Sequence, residues 1–128
     1  MAANTLTSIL LASTNPDKLR AWYVQALEPD VDADQDKYAV LGFGGFYVLI
    51  DSREDIGDSN PEPGRVLLNF EVADARAVVE RLDAAGTTWL AGLEDRDGSL
   101  FATAIDPDGN YVQIIELSEE HRAAMEAG

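Results

Sequence analysis

The segment Asp106-Pro107-Asp108-Gly109-Asn110 constrains the fold of this chain more than any other. Pro107 fixes its own φ, and a glycine at 109 supplies the positive φ that a tight turn needs. Two apolar runs flank it, Ser99 to Ile105 and Tyr111 to Leu117. The whole therefore predicts a β-hairpin that closes a sheet. Gln113, inside the second run, is the position on which the functional reading turns.

The rest of the chain supplies the partners for that hairpin. Leu6 to Ala12 is an apolar run of strand length. Thr14-Asn15-Pro16-Asp17 opens a helix, with a capping side chain, proline in the first turn and an acid at the positive end of the dipole. Leu19, Trp22, Tyr23, Ala26 and Leu27 then recur at helical spacing. Glu28 to Asp36 is polar and reads as loop with one short edge strand. Tyr38 to Phe43 and Phe46 to Ile50 flank Gly44-Gly45, a second hairpin signal. Asp51 to Gly64 is rich in Asp, Ser, Gly and Pro and reads as a linker. Beyond it Val66 to Val72 is a strand, and Asp74 caps a helix with the apolar face Ala77, Val78, Leu82 and Ala85. Gly86 ends that helix, Thr87 to Leu90 is a short strand, and a Gly/Asp-rich loop from Ala91 to Gly98 leads into the closing hairpin. Glu119 to Ala127 reads as a terminal helix. The order strand–helix–strands thus occurs twice, about 60 residues apart, which suggests internal duplication.

A chain of 128 residues can bury a core without staples, and it has no cysteine, so disulfides and thiolate chemistry are excluded. The formal charge is −15: ten acids against four bases in residues 1–60, fourteen against five in 61–128. Such a surface repels phosphate backbones and anionic lipid, which excludes nucleic acid and membrane as expected partners. It favours a cationic ligand, or serves solubility alone. No basic segment followed by a long apolar stretch opens the chain, and no apolar run reaches spanning length, so a cytoplasmic protein is expected.

In this order and spacing, the pieces resemble the vicinal oxygen chelate superfamily, also called the glyoxalase / bleomycin-resistance / dioxygenase family. Three of them carry the resemblance: Asn15-Pro16-Asp17 with Trp22-Tyr23, Phe70-Glu71-Val72-Ala73-Asp74 running into Ala84-Ala85-Gly86, and Asp106-Pro107-Asp108-Gly109-Asn110. It spans Leu6 to Leu117. It implies an α+β fold of two βαβββ modules, about residues 5–52 and 65–117 of a single domain, joined by a linker at about 53–64. Their curled mixed sheets enclose a cavity, and a C-terminal helix follows at about 119–127. It also implies a homodimer in which modules of two chains complete the cavities.

Family metalloenzymes carry side-chain ligands on the first and last strands of the modules. The corresponding positions here are Ser8, Leu67 and Gln113, with the fourth near Val48. A divalent ion with open positions needs imidazole nitrogens and carboxylate oxygens. Leu and Val cannot ligate, and a neutral Ser or Gln is a poor ligand. The neighbours Thr7, Ile9, Val66, Leu68, Val112 and Ile114 are no better, and the sole histidine, His121, lies beyond the last strand. The expectation is therefore no metal and no cofactor, and no chemistry of the extradiol-dioxygenase, glyoxalase or metal-thiol-transferase kind.

Strand side chains alternate between faces. The parity of the ligand positions sends Leu6, Ser8, Leu10 and Ala12 inward, with Phe46, Val48 and Ile50, with Arg65, Leu67, Asn69 and Glu71, and with Tyr111, Gln113 and Ile115. Ile9, Leu11, Leu68, Phe70, Val72, Val112 and Ile114 then pack on helices. Phe43 and Trp89, near loops, are placed to stack on a planar ligand. The expected ligand contacts are Ser8, Phe43, Phe46, Val48, Leu67, Asn69, Glu71, Trp89, Tyr111 and Gln113. Three functions compete. One is a metal-free binder of an aromatic or cationic small molecule such as an antibiotic. The second is a glyoxalase-like enzyme of lyase, isomerase or dioxygenase type, using Glu71 or Tyr111 as acid or base or a non-standard metal site, and the third is a regulatory or structural dimer module. Glu71 has further readings, as the partner of Arg65, as counter-charge to a cationic ligand, or as a residue at the solvent end of its strand. Asp106, Asp108, Gly109 and Asn110 are assigned to turn geometry, and Glu116 to an exposed or structural role.

Overall fold

The computed structural model describes residues 3–127. The chain divides into two compact units, one ending at Asp58 and the other starting at Ser59. The first contains β1 (Ser8–Ser13), α1 (Pro16–Leu27), β2 (Val31–Gln35), β3 (Tyr38–Phe43) and β4 (Phe46–Ser52). The second contains a 3-10 turn at Pro63–Arg65, then β5 (Leu67–Glu71), α2 (Ala75–Ala84), β6 (Thr88–Arg96), β7 (Ser99–Ile105), β8 (Tyr111–Glu116) and α3 (Glu119–Ala127). The two sheets have the orders β1-β4-β3-β2 and β5-β8-β7-β6, the same permutation. In each, the first strand runs parallel to the last and the other pairs are antiparallel. This is the α+β arrangement of two βαβββ modules, with the terminal helix following the second.

In the first unit, Asn15 Oδ1 accepts from Lys18 N and Pro16 occupies the first turn, so α1 starts where the sequence predicts. Leu19, Trp22, Tyr23 and Ala26 are buried, with Trp22 and Tyr23 edge to face at 4.8 Å between ring centres. Residues paired across neighbouring strands share a sheet face. The rows Ile9–Val48–Leu41 and Leu11–Ile50–Ala39 continue onto Asp32 and Asp34 of β2. Arg20 of α1 reaches both carboxylates at 2.6 Å. The helix therefore covers this face. The hydrogen bonds that Arg20 donates to Asp32 and then to Asp34 raise the proton affinity of its guanidinium. Gly44 and Gly45 take φ of 61° and 96°, which lets β3 and β4 form a tight hairpin.

The second unit repeats the plan. Asp74 Oδ1 caps α2 through Ala77 N, and Glu116 Oε1, from β8, accepts from Ala75 N at 2.8 Å. Two carboxylate oxygens thus satisfy helix-terminal N–H groups and meet the positive end of the dipole. Ala75, Val78 and Leu82 are buried, as are Leu100, Ala102, Ala104, Val112 and Ile114 on the sheet. β6 differs from expectation: it runs to Arg96 and turns through Asp97-Gly98, with φ of 54° and 92°. Gly92, Glu94 and Asp95 disfavour a strand locally, but pairing with β7 overrides this, with irregularities on either side of Ala91.

The turn that closes β7 onto β8 is organised by one buried carboxylate. Asp106 Oδ1 accepts from Asp108 N and Asn110 N, and its Oδ2 accepts from Asn110 Nδ2, all at 2.9 Å. Gly109 has φ 85° and donates to Asp106 O. The later part of the linker docks here: Asn60 N donates to Asp108 O, and Asn60 Nδ2 to Asn110 Oδ1. Replacing Asp106 with Ala strands three donors in a half-buried turn. The expected loss is about 2–4 kcal/mol, read in urea unfolding as a lower midpoint with unchanged slope.

Candidate functional site

The face of the second sheet opposite α2 is built from three cross-strand rows. The first is Leu67, Tyr111, Ile105 and Thr88; the second is Asn69, Gln113, Thr103 and Ala91; the third is Glu71, Ile115, Phe101 and Glu94. Leu67, Asn69 and Glu71 are exposed, and Tyr111 and Gln113 are half-buried. Thr103, in the middle of the face, is only 8% exposed. Among the described residues, Asn69, Thr103, Tyr111 and Gln113 use their side chains in no hydrogen bond within the protein.

Helix α3 reaches this face at two points. Ser99 Oγ contacts His121 Nδ1 and accepts from Ser118 N at 2.8 Å, with Ser99 fully buried. Arg122 lies 3.6 Å from Glu71 Oε2. At the other end of the same row, Arg96 pairs with Glu94 at 2.8 Å and lies over the Phe101 ring at 4.9 Å. Both carboxylates on this face therefore have an arginine partner. Arg65, the expected partner of Glu71, pairs with Glu62.

The sequence-derived candidates divide. Leu67, Asn69, Glu71, Tyr111 and Gln113 come together on this one face. Ser8 lies on the open face of the first unit, in the rows of Tyr47 and of Leu10 with Leu49. Phe46, Val48 and Ile50 were expected on that face too, and the structure corrects this. The register pairs Ser8 with Tyr47 and Ile9 with Val48, so Val48, Ile50, Phe46 and its partner Phe43 belong to the helix side. Val48 is 2% exposed. Trp89 is corrected likewise: it pairs with Ala104 on the helix side, and its Nε1 donates to Asp83 Oδ1 of α2 at 2.8 Å. Sequence reasoning missed Phe101, Thr103 and Ile105. Alternation along β7, counted back from the Asp106 turn, is the signal that finds them.

The positions where the resemblance places metal ligands do not fit a metal. Leu67 has no donor, and Gln113 stands among Asn69 and Thr103, neutral oxygens and amides rather than imidazoles and carboxylates. Among the described residues, no group of three or more His, Cys, Asp or Glu converges to hold an ion. Nor is any described helix long and apolar enough to cross a membrane.

Residues 8–115 match the family model described as a glyoxalase-like domain. A glyoxalase/bleomycin resistance protein/dioxygenase family enzyme from Burkholderia phytofirmans PsJN superposes with a TM-score of 0.73 at 16% identity, covering 90% of this chain and all of that one. A glyoxalase-related enzyme from Fulvimarina pelagi gives 0.70 at 21%, covering 88% of each chain. A virulence protein from Salmonella typhimurium gives 0.70 at 20%, covering 92% of this chain and all of that one. At these identities the likeness concerns the fold. No curated protein matches.

The assignment of faces has a direct check. Val48→Ala is expected to cost about 2 kcal/mol, because it opens space against α1. Leu10→Ser, at a side chain 49% exposed on the other face, is expected to stay within about 0.5 kcal/mol. Urea unfolding of both variants gives the order, and the reverse order means that the faces are exchanged.

Proposed function

The chain belongs to the glyoxalase-like domain family, and from that premise we propose that it binds a small organic molecule without a metal ion. The ligand is an aromatic or cationic compound such as an antibiotic, which the protein sequesters. One observation carries the reading. Leu67, Asn69, Glu71, Tyr111 and Gln113 share one open face, where Asn69, Tyr111 and Gln113 are interleaved with apolar surface and, among the described residues, use their side chains in no hydrogen bond of the fold. A few convergent polar groups among apolar neighbours is the usual composition of a small-molecule site. Ser8, on the open face of the first unit, belongs to the same reading. So does a homodimer in the cytoplasm.

Catalysis by Glu71 is the weaker reading. Its carboxylate is half-exposed beside Arg122, the setting of a surface ion pair rather than of a buried base. Among the described residues, Tyr111 has no hydrogen-bond partner on the face to activate it as acid or base.

Thermal melting against a panel of cationic and neutral aromatic compounds tests the proposal, with and without added Zn, Mn, Fe and Ni. A ligand at one hundred times its Kd stabilises by about 2.7 kcal/mol, so a rise of roughly 10 °C is expected for a domain of this size. The rise is expected to be the same with and without metal. Binding that appears only with stoichiometric metal would sink the idea.

A further inference from the structure

We propose that the row Asn69–Gln113–Thr103 is a recognition strip for an uncharged, planar amide-type group, a carboxamide or lactam edge, on the ligand. The inference rests on the binding role proposed above and names the chemistry that the second unit selects.

The register sets these three side chains abreast on adjacent strands. At about 4.8 Å per strand they span about 10 Å, the width of a ring bearing one functional group. Two carboxamides and a hydroxyl give donors and acceptors in alternation, with no fixed charge. An amide edge, which also offers a donor beside an acceptor, is their complement. Thr103 is the central member: the residue is only 8% exposed, yet its hydroxyl keeps access to solvent and, among the described residues, has no protein partner. Burying polar groups unpaired is costly, so a ligand that satisfies them gains over one that merely covers them.

The flanking rows tell against a charged group at this place. Above the strip lie Leu67, Tyr111 and Ile105, which offer apolar and aromatic contact. Below it lie Ile115 and Phe101 between Glu71 and Glu94, each of which already faces an arginine. The chain carries −15 overall, but this face is locally neutralised. A ligand cation seated here would have to displace Arg122 or Arg96. A ligand anion would be repelled by the surrounding charge.

Three probes on one ring system separate these chemistries: 2-naphthamide, 2-naphthylmethylamine (a cation at neutral pH) and 2-naphthoate. Dissociation constants come from titration calorimetry on the full chain. The carboxamide is expected to bind roughly tenfold or more tightly than either charged probe, as when a site built to hydrogen-bond rejects an analogue that cannot. Gln113→Leu and, separately, Asn69→Leu are expected to bring its affinity down to that of the ammonium, whose own affinity stays unchanged. The wild-type comparison needs no variant, so a folding failure in either one leaves the test intact. Tighter or equal binding of the ammonium overturns the proposal, as does wild-type carboxamide affinity in folded variants. If none of the three binds while a compound of the aromatic panel still raises the melting temperature, the amide strip is wrong and the binding role stands. If neither probes nor panel bind, both fall.

Discussion

The carboxylate of Asp106 holds Ile105 opposite Tyr111, and the β7–β8 pairing at the centre of the second sheet follows from that contact. In a sheet, a slip of one residue turns each side chain to the other face. Here the slip would send Val112 and Ile114 from the α2 side into water and bring Gln113 into the core. The turn chemistry that fixes the hairpin therefore also fixes which groups stand on the open face. A structural aspartate, with no part in ligand chemistry, determines what that face can recognise.

The same economy appears in the charges. Acidic side chains outnumber basic ones by 24 to 9, but several of those on folded elements have specific partners. Asp32 and Asp34 hold Arg20, Glu116 and Asp74 cap α2, and Glu71 and Glu94 meet arginines. Exposed pairs of this kind add little stability, typically under about 1 kcal/mol. Their effect is positional: Arg20 aligns α1 with the edge strand of its sheet, and Arg122 brings α3 to the open face. Net charge thus says little about the ligand, whereas the local pairing says a good deal.

Much of the fold was legible because its signals are local. Asn15 and Asp74 cap helices, Gly44-Gly45 makes a hairpin, and the motif at 106–110 makes the closing turn, each from side chains within a few residues. The face of β4 was not legible. It depends on the parallel register with β1, which sets Ser8 beside Tyr47 and not beside Val48, and no turn links those two strands directly. Trp89 was misplaced because β6 is irregular beside it, and β6 itself extends past Leu90 because β7 supplies hydrogen bonds that its own sequence would not earn. Within the candidate site, Leu67, Asn69, Glu71, Tyr111 and Gln113 could be grouped by alternation alone. Thr103 follows from alternation along β7 counted back from the Asp106 turn, and the β7–β8 register sets it beside Gln113.

The cap that Glu116 places on Ala75 joins residues 41 apart in sequence. Its consequence is kinetic. The strands β6, β7 and β8 are joined by short turns, so they can zip together as a local meander on the microsecond scale of hairpins. The parallel strand β5 and the first turn of α2 must wait for a long loop to close, an entropic cost that non-local contacts recover only late. The second unit is thus expected to assemble from its C-terminal side backwards. The carboxylate that completes α2 arrives on a strand already in place, and the helix start is the last part to gain protection from hydrogen exchange.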